Sequence, residues 1–186
     1  MTTVAPALDP TWAAAFREHD QAISQFISCL RRVPPGALNE PTAPGKWSPA
    51  GVALHIARTY DFGLEALTRG TPMVMRIAPL QAWFLRTLLM PIVLATGRFP
   101  SGVDAPAEVV PDAGESAARS LDAAIARVQG SADRTAAAVA DAARANSSVY
   151  ITHAYFGRLP GLTAFRFVSA HTRHHARALD RCFGRG

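Results

Sequence analysis

Phe165-Arg166-Phe167-Val168-Ser169-Ala170-His171-Thr172-Arg173-His174-His175-Ala176-Arg177-Ala178-Leu179 is the stretch around which this chain is organised. Read as a helix, at about 100° per residue, it sorts by face. His171 and His175 stand one turn apart, one above the other. Ala164, Phe167, Val168, Ala178, Leu179 and Cys182 fall on their side, and Arg173, Arg177 and Arg181 fall roughly opposite. Two imidazoles therefore sit on the face that turns inward, and a row of guanidinium groups faces water. Histidines at i and i+4 bring their ring nitrogens close enough to share one small cation. The competing interpretation is a pair of hydrogen-bonded histidines in a helix interface. His174 lies about 60° off the pair and makes a rival couple with His171 at i, i+3; His175 is the better centred among the apolar residues.

Working outward, Val149 to Thr163 is not helical in pattern; it reads as extended, then turned, with Thr163 as a cap for the final helix. His153 stands in this short loop directly before the histidine helix, placed to form a wall of the same pocket. Upstream, a helix is expected to start near Asp112 to Glu115, whose acidic side chains suit a helix start. Leu121, Ile125 and Val128 are its apolar stripe. Gly130-Ser131 marks a kink or a weak point, the alanine-rich run 132–145 continues the helix, and Asn146-Ser147-Ser148 ends it.

A further helix runs from Pro49 to about Thr68, with Ser48 as N-cap and Pro49 at the first position. His55 shares its inward face with Val52, Thr59, Phe62 and Ala66, while Arg58, Asp61, Glu65 and Arg69 flank it with charges of both signs. Alone, His55 reads as a satisfied core histidine; beside the pair in the last helix it becomes a third ligand from elsewhere in the fold. The first helix opens at Asp9-Pro10, after a loose tail over residues 1–9, and ends at Pro34-Pro35-Gly36. Its stripe is Trp12, Phe16, Ile23, Phe26, Ile27 and Leu30. His19 falls within that stripe, either as a core histidine or as a group lining a pocket beside the metal.

The apolar segment from Ile77 to Ala95 reads as a buried or partner-facing helix from Pro79 with a break near Pro91, its methionines and leucines suited to a dimer contact. Gln81, Arg86 and two prolines interrupt it, which argues against a membrane span. The long loop 97–112 is the stretch expected to be mobile.

The chain has 186 residues, 49% apolar and 18% charged, which fits one ordered domain over 1–186. Its formal charge is +5, with Lys46 the single lysine. The arginines are spread along the chain with no basic block, so nucleic acid is not the expected partner. Cys29 and Cys182 read as two buried thiols in a reducing cytoplasm. The N-terminus lacks the basic start and apolar run of a secretory signal. There is no internal repeat, no glycine-rich phosphate loop, no Glu-x-x-His couple of the di-iron bundles and no Gly-x-Ser-x-Gly elbow.

Three segments together resemble the DinB/YfiT-like superfamily. Trp47-Ser48-Pro49-Ala50 followed by His55 is similar to the family's start of helix two with its first ligand. His153-Ala154-Tyr155-Phe156-Gly157-Arg158-Leu159 resembles its "H-P-x-F-G-x-L" turn, and His171 to Leu179 its closing "H-x-x-H-H-x-x-Q-L" helix. The departures are Ala154 for proline and Ala178 for glutamine; neither removes a ligand. The resemblance implies an all-α fold: an antiparallel four-helix bundle with a helical and loop insertion between helices two and three, the segment 71–111 serving as insertion, lid or dimer contact. It implies a divalent ion, Zn²⁺ or Ni²⁺, held by His55, His171 and His175 with a position open to water or substrate. It also implies frequent homodimers. Characterised relatives include transferases and isomerases using low-molecular-weight thiols such as mycothiol or bacillithiol, and a hydrolase. On that pattern the protein is a metal-dependent enzyme activating a thiol or water for a small-molecule substrate. Arg58 would orient an anionic substrate, and His19, His153 and His174 would be candidates for proton transfer because histidine titrates near neutrality. No general base stands out. The rival from another class is a non-catalytic, metal-binding or stress-related dimeric bundle.

Overall fold

The computed structural model describes residues 8–100, 102–112, 115 and 120–184. Four long helices carry the fold. In α1 (Pro10–Arg31) the Asp9 carboxylate accepts from the Thr11 amide at 2.7 Å, and Pro10 occupies the first turn. In α2 (Pro49–Arg69) Ser48 Oγ accepts from the Gly51 amide at 3.0 Å, and Gly70 ends the helix at φ +71°. The expected tail falls mostly on residues 1–7, which lie outside the described residues.

After α2 comes a helical insertion: α3 (Pro79–Phe84), a π-helical stretch at Leu85–Leu89 and α4 (Met90–Thr96). The widened turn sits just before Pro91, whose missing N–H cannot continue the ladder, so the expected break takes the form of a π stretch. The face carrying Ala82, Met90 and Val93 is buried, and Met90 and Val93 pack with Phe156, Leu159 and Phe167. The opposite face is not buried: Leu80, Trp83, Phe84, Leu88 and Ile92 are between 49% and 70% exposed. Pro79–Thr96 is long and apolar enough to cross a membrane by length and composition, with mean hydropathy 1.2. Here it lies flat on the protein, where Arg86 Nη1 donates to the Arg158 carbonyl at 3.0 Å.

The next long helix, α5 (Leu121–Arg144), starts later than the acidic residues suggest. Ser120 Oγ caps it by accepting from the Ala123 amide at 3.1 Å, while Asp112 and Glu115 turn their carboxylates to Arg58 instead. The segment 149–163 is extended and turned as expected, and pairs with itself. β1 (Tyr150–His153) and β2 (Gly157–Pro160) form an antiparallel hairpin, so the fold is mostly helical with a small two-stranded sheet rather than all-α. Gly157 takes φ +64° at the turn, a conformation costly for a residue with a Cβ. The last helix, α6 (Gly161–Phe183), begins straight out of β2. Thr163 does not cap it; the Gly161 amide donates instead to the Val149 carbonyl at 2.8 Å, back into the hairpin.

Contacts fix the directions of the helices. Glu18 pairs with Arg166 at 3.0 Å, and Arg32 pairs with Asp180. Both positions advance together, so α1 and α6 run parallel. Likewise Val52 shares a cluster with Leu121, and Leu67 shares one with Val139, so α2 and α5 run parallel. Each of these pairs is therefore parallel rather than antiparallel. Across the pairs, His55 meets His171, Tyr60 meets Thr172 and Leu67 lies with Phe165. The long connection 70–120 makes α2 and α5 parallel, because it returns the chain to the end of the molecule where α2 began.

Ile23, Phe26, Leu30, Ile56, Tyr60 and Val128 form the main core between these helices. Each large apolar side chain buried there contributes roughly 1.5–3 kcal/mol. Cys29 is buried, with Arg32 Nη2 donating to its sulfur at 3.1 Å. Cys182 is exposed, contrary to expectation, because it follows Leu179, the last buried residue of α6. Arg173 and Arg177 are half-buried rather than free in water: Arg173 donates to the Glu18 carbonyl at 3.4 Å, and Arg177 to the Gly97 carbonyl at the end of α4.

Candidate metal centre

His55 from α2 and the His171–His175 pair from α6 meet. His171 Nε2 lies 3.3 Å from His55 Nε2 and 3.1 Å from His175 Nε2, and the donor atoms of the three rings all lie within 4.8 Å of one another. The i, i+4 couple is the one used. His174 stands aside, its ring 5.3 Å from that of His175 and 5.1 Å from Phe99.

The tautomer of His55 follows from its surroundings. Its Nδ1 is 2.8 Å from the Val109 carbonyl, which can only accept, so the proton resides on Nδ1 and the Nε2 lone pair faces the cluster. Among the described residues, His171 Nδ1 is buried with no hydrogen-bond partner. If His171 is protonated at Nε2, its Nδ1 lone pair is stranded; if at Nδ1, that N–H is stranded and its Nε2 lone pair faces that of His55. A cation among the three Nε2 atoms would satisfy facing lone pairs that no arrangement of neutral ring protons satisfies together. The residues present thus fit a divalent ion bound by imidazole.

Protons are poor substitutes for such an ion. His55 is 2% exposed, and burial pushes it down to about 4 despite the Val109 carbonyl, which acts the other way. Burial, then the neighbouring imidazoles, holds His171 and His175 well below the usual histidine range. Neutral rings with available lone pairs are what a metal requires.

The cluster opens on a cavity of about 1440 Å³ lined also by Trp47, Phe99, His153 and His174. Trp47 packs on His55 with ring centroids 4.7 Å apart, and Phe99 packs on His171 at 5.5 Å. His153 is a wall residue, its ring edge-on to Phe167 at 4.9 Å. Its Nδ1 accepts from the Tyr155 amide at 3.2 Å, so the neutral ring carries its proton on Nε2. None of the three additional histidines keeps an ordinary pKa. Burial takes His153 down to about 4; burial, then Arg177 and Arg181, lowers His174; and burial lowers His19 against the opposing pull of Asp20.

Two residues do not take the places expected of them. His19 does not line the cavity; it is buried between Phe165, stacked at 5.0 Å, and the edge of Tyr60 at 5.5 Å, which is the core-histidine alternative. Arg58 does not line it either. Its guanidinium holds the Val110 carbonyl, Asp112 and Glu115, and so ties down the loop whose Val109 carbonyl orients His55. That carbonyl and Phe99 are site residues the sequence did not reveal. A backbone acceptor has no side-chain signature, and a lone phenylalanine in a loop carries no spacing.

The sequence model described as the DinB superfamily matches residues 9–179, which takes in α1, α2, α5, most of α6 and every histidine discussed above. No curated protein and no solved structure matches the chain. With nearly its whole length covered by that match, the chain belongs to the DinB superfamily.

Proposed function

We propose that this protein is a metal-dependent enzyme in which His55, His171 and His175 hold a divalent ion, Zn²⁺ or Ni²⁺, at one side of a large cavity. The observation that carries this reading is the convergence of three Nε2 atoms, one fixed as an acceptor by Val109, on a common point. When bound, the ion would lower the pKa of a thiol or water beside it and so supply a nucleophile near neutral pH for transfer, isomerisation or hydrolysis. The residues around it do the remaining work. Trp47 and Phe99 cover the imidazoles and limit access of bulk water. His153 holds an N–H in the cavity wall, positioned by the Tyr155 amide to donate to a bound anionic group.

Metal analysis of purified protein tests this reading. Close to one equivalent of Zn²⁺ or Ni²⁺ per chain is expected. With Co²⁺ substituted, mycothiol or bacillithiol should change the visible spectrum as a thiolate joins the ion. Protein that takes up no metal at neutral pH would overturn the proposal.

The exposed face of α3 and α4 favours a second reading, a dimeric bundle acting through its surface. Leu80, Trp83, Phe84, Leu88 and Ile92 share a helical segment whose one charge, Arg86, is engaged with the hairpin. We infer that a second copy covers this face. Sedimentation should show a dimer for the native chain and a monomer for Leu88→Glu; a native monomer would exclude it.

A further inference from the structure

The cavity is a long groove rather than a cup around the histidines. From α6, Gly161, Ala164, Val168, His171, His175 and Ala178 line it, recurring at three and four residues. From α2, Val52, His55, Thr59, Phe62, Gly63 and Leu67 line the other side. At a rise of about 1.5 Å per residue the α6 stripe runs roughly 25 Å, and His171 stands about 15 Å from its Gly161 end. Over that distance the walls are mostly apolar, with Trp12, Leu67, Val139, Val149 and Phe165 beside the hydroxyl residues Thr135 and Ser147. Charged groups stand at the other end: Lys46 next to Trp47, which packs on His55, and Arg181 on the helical turns after His175, with the carboxylates of Asp104 and Asp112 also in the lining and Asp112 paired with Arg58. The volume of about 1440 Å³ exceeds the roughly 300–1,000 Å³ typical of small-molecule pockets.

Gly63 is part of this construction. Glycine weakens a helix interior. A Cβ added at Gly63 would meet nothing within 4 Å, so the missing side chain leaves open groove rather than admitting a neighbour.

We propose that this groove takes an amphiphilic ligand, with an anionic head at the histidine end and an extended apolar chain running between α2 and α6 past Gly63 toward Val139 and Val149. The position of the head rests on the metal reading above; that of the chain rests on the groove alone.

Calorimetric titration of the full-length protein with hexanoate and dodecanoate, with and without Zn²⁺, tests it. Dodecanoate is expected to bind roughly a thousandfold more tightly than hexanoate, because its six additional methylenes leave water for the groove at about 0.8 kcal/mol each. Gly63→Phe should plug the groove about 12 Å along α2 from His55 and bring the two affinities within about threefold of each other. Gly63→Ala should keep the preference, and both variants should bind Zn²⁺ as the native chain does. Equal affinities for the two carboxylates, or a preference for dodecanoate that survives Gly63→Phe, would overturn the proposal, the latter placing the chain on another apolar surface such as the exposed face of α3 and α4. A chain-length preference lost in Gly63→Phe, in protein that binds no Zn²⁺, would sink the metal reading and leave the groove assignment standing.

Discussion

His171→Leu is expected to weaken Zn²⁺ binding by about 3 kcal/mol, a hundredfold or more, and to leave the metal-free protein as stable as before or more so. His171 is the middle ring of the three, with its Nε2 at 3.3 and 3.1 Å from the other two. Removing it leaves two donor atoms, one on each helix, to hold the ion. Leucine is close in size and leaves little void. It also removes a buried Nδ1 that has no hydrogen-bond partner among the described residues, which offsets the loss of the Nε2 contacts to His55 and His175. Competition with a chromophoric chelator measures the first effect, and urea unfolding in EDTA the second. Added Zn²⁺ at a hundredfold over Kd should stabilise the native chain by about 2.7 kcal/mol and the variant hardly at all. A leucine variant that binds Zn²⁺ like the native chain would reduce the histidine cluster to a packing feature.

Arg58→Ala should lower metal affinity about ten- to a hundredfold although Arg58 touches none of the three ligands. Its guanidinium gathers the Val110 carbonyl, Asp112 and Glu115. The neighbouring Val109 carbonyl takes the Nδ1 proton of His55 at 2.8 Å, which sets both the tautomer and the direction of the Nε2 lone pair. Once the loop is loosened, the ring can turn or carry its proton on the wrong nitrogen. The carboxylates paired with Arg58 are exposed, so the loss of folding stability from those ion pairs should stay within about 1 kcal/mol. Arg58→Lys should not restore affinity, because one ammonium cannot hold a carbonyl and two carboxylates in the geometry of the guanidinium fork. A fall in metal affinity no larger than the fall in stability would assign Arg58 to the fold alone.

Much of the fold was legible because it is written locally. Asp9-Pro10 and Ser48-Pro49 mark helix starts through side-chain acceptors that reach amides only two or three residues on. The His171–His175 couple follows from helical pitch, and the three matched segments pointed to the family that the comparison then showed. Where the reading missed, distant partners had intervened. Asp112 and Glu115 look like a helix start, yet Arg58 claims them and the helix waits for Ser120. Thr163 looks like a cap, yet the Val149 carbonyl takes that role. His19 and His55 both sit in apolar stripes on their own helices, and nothing local separates the one stacked on Phe165 from the one facing His171.

By itself, then, the sequence determined the long helices, most of their ends, and a vertical pair of imidazoles on the last of them, since all of these depend on contacts within a few residues along a rigid backbone. Only the tertiary structure decided which carbonyl aims His55 at that pair, and that the exposed flank of α3 and α4 is apolar. Those facts arise from how far and in what direction the chain returns between α2 and α5, and from which surfaces are pressed together when it does.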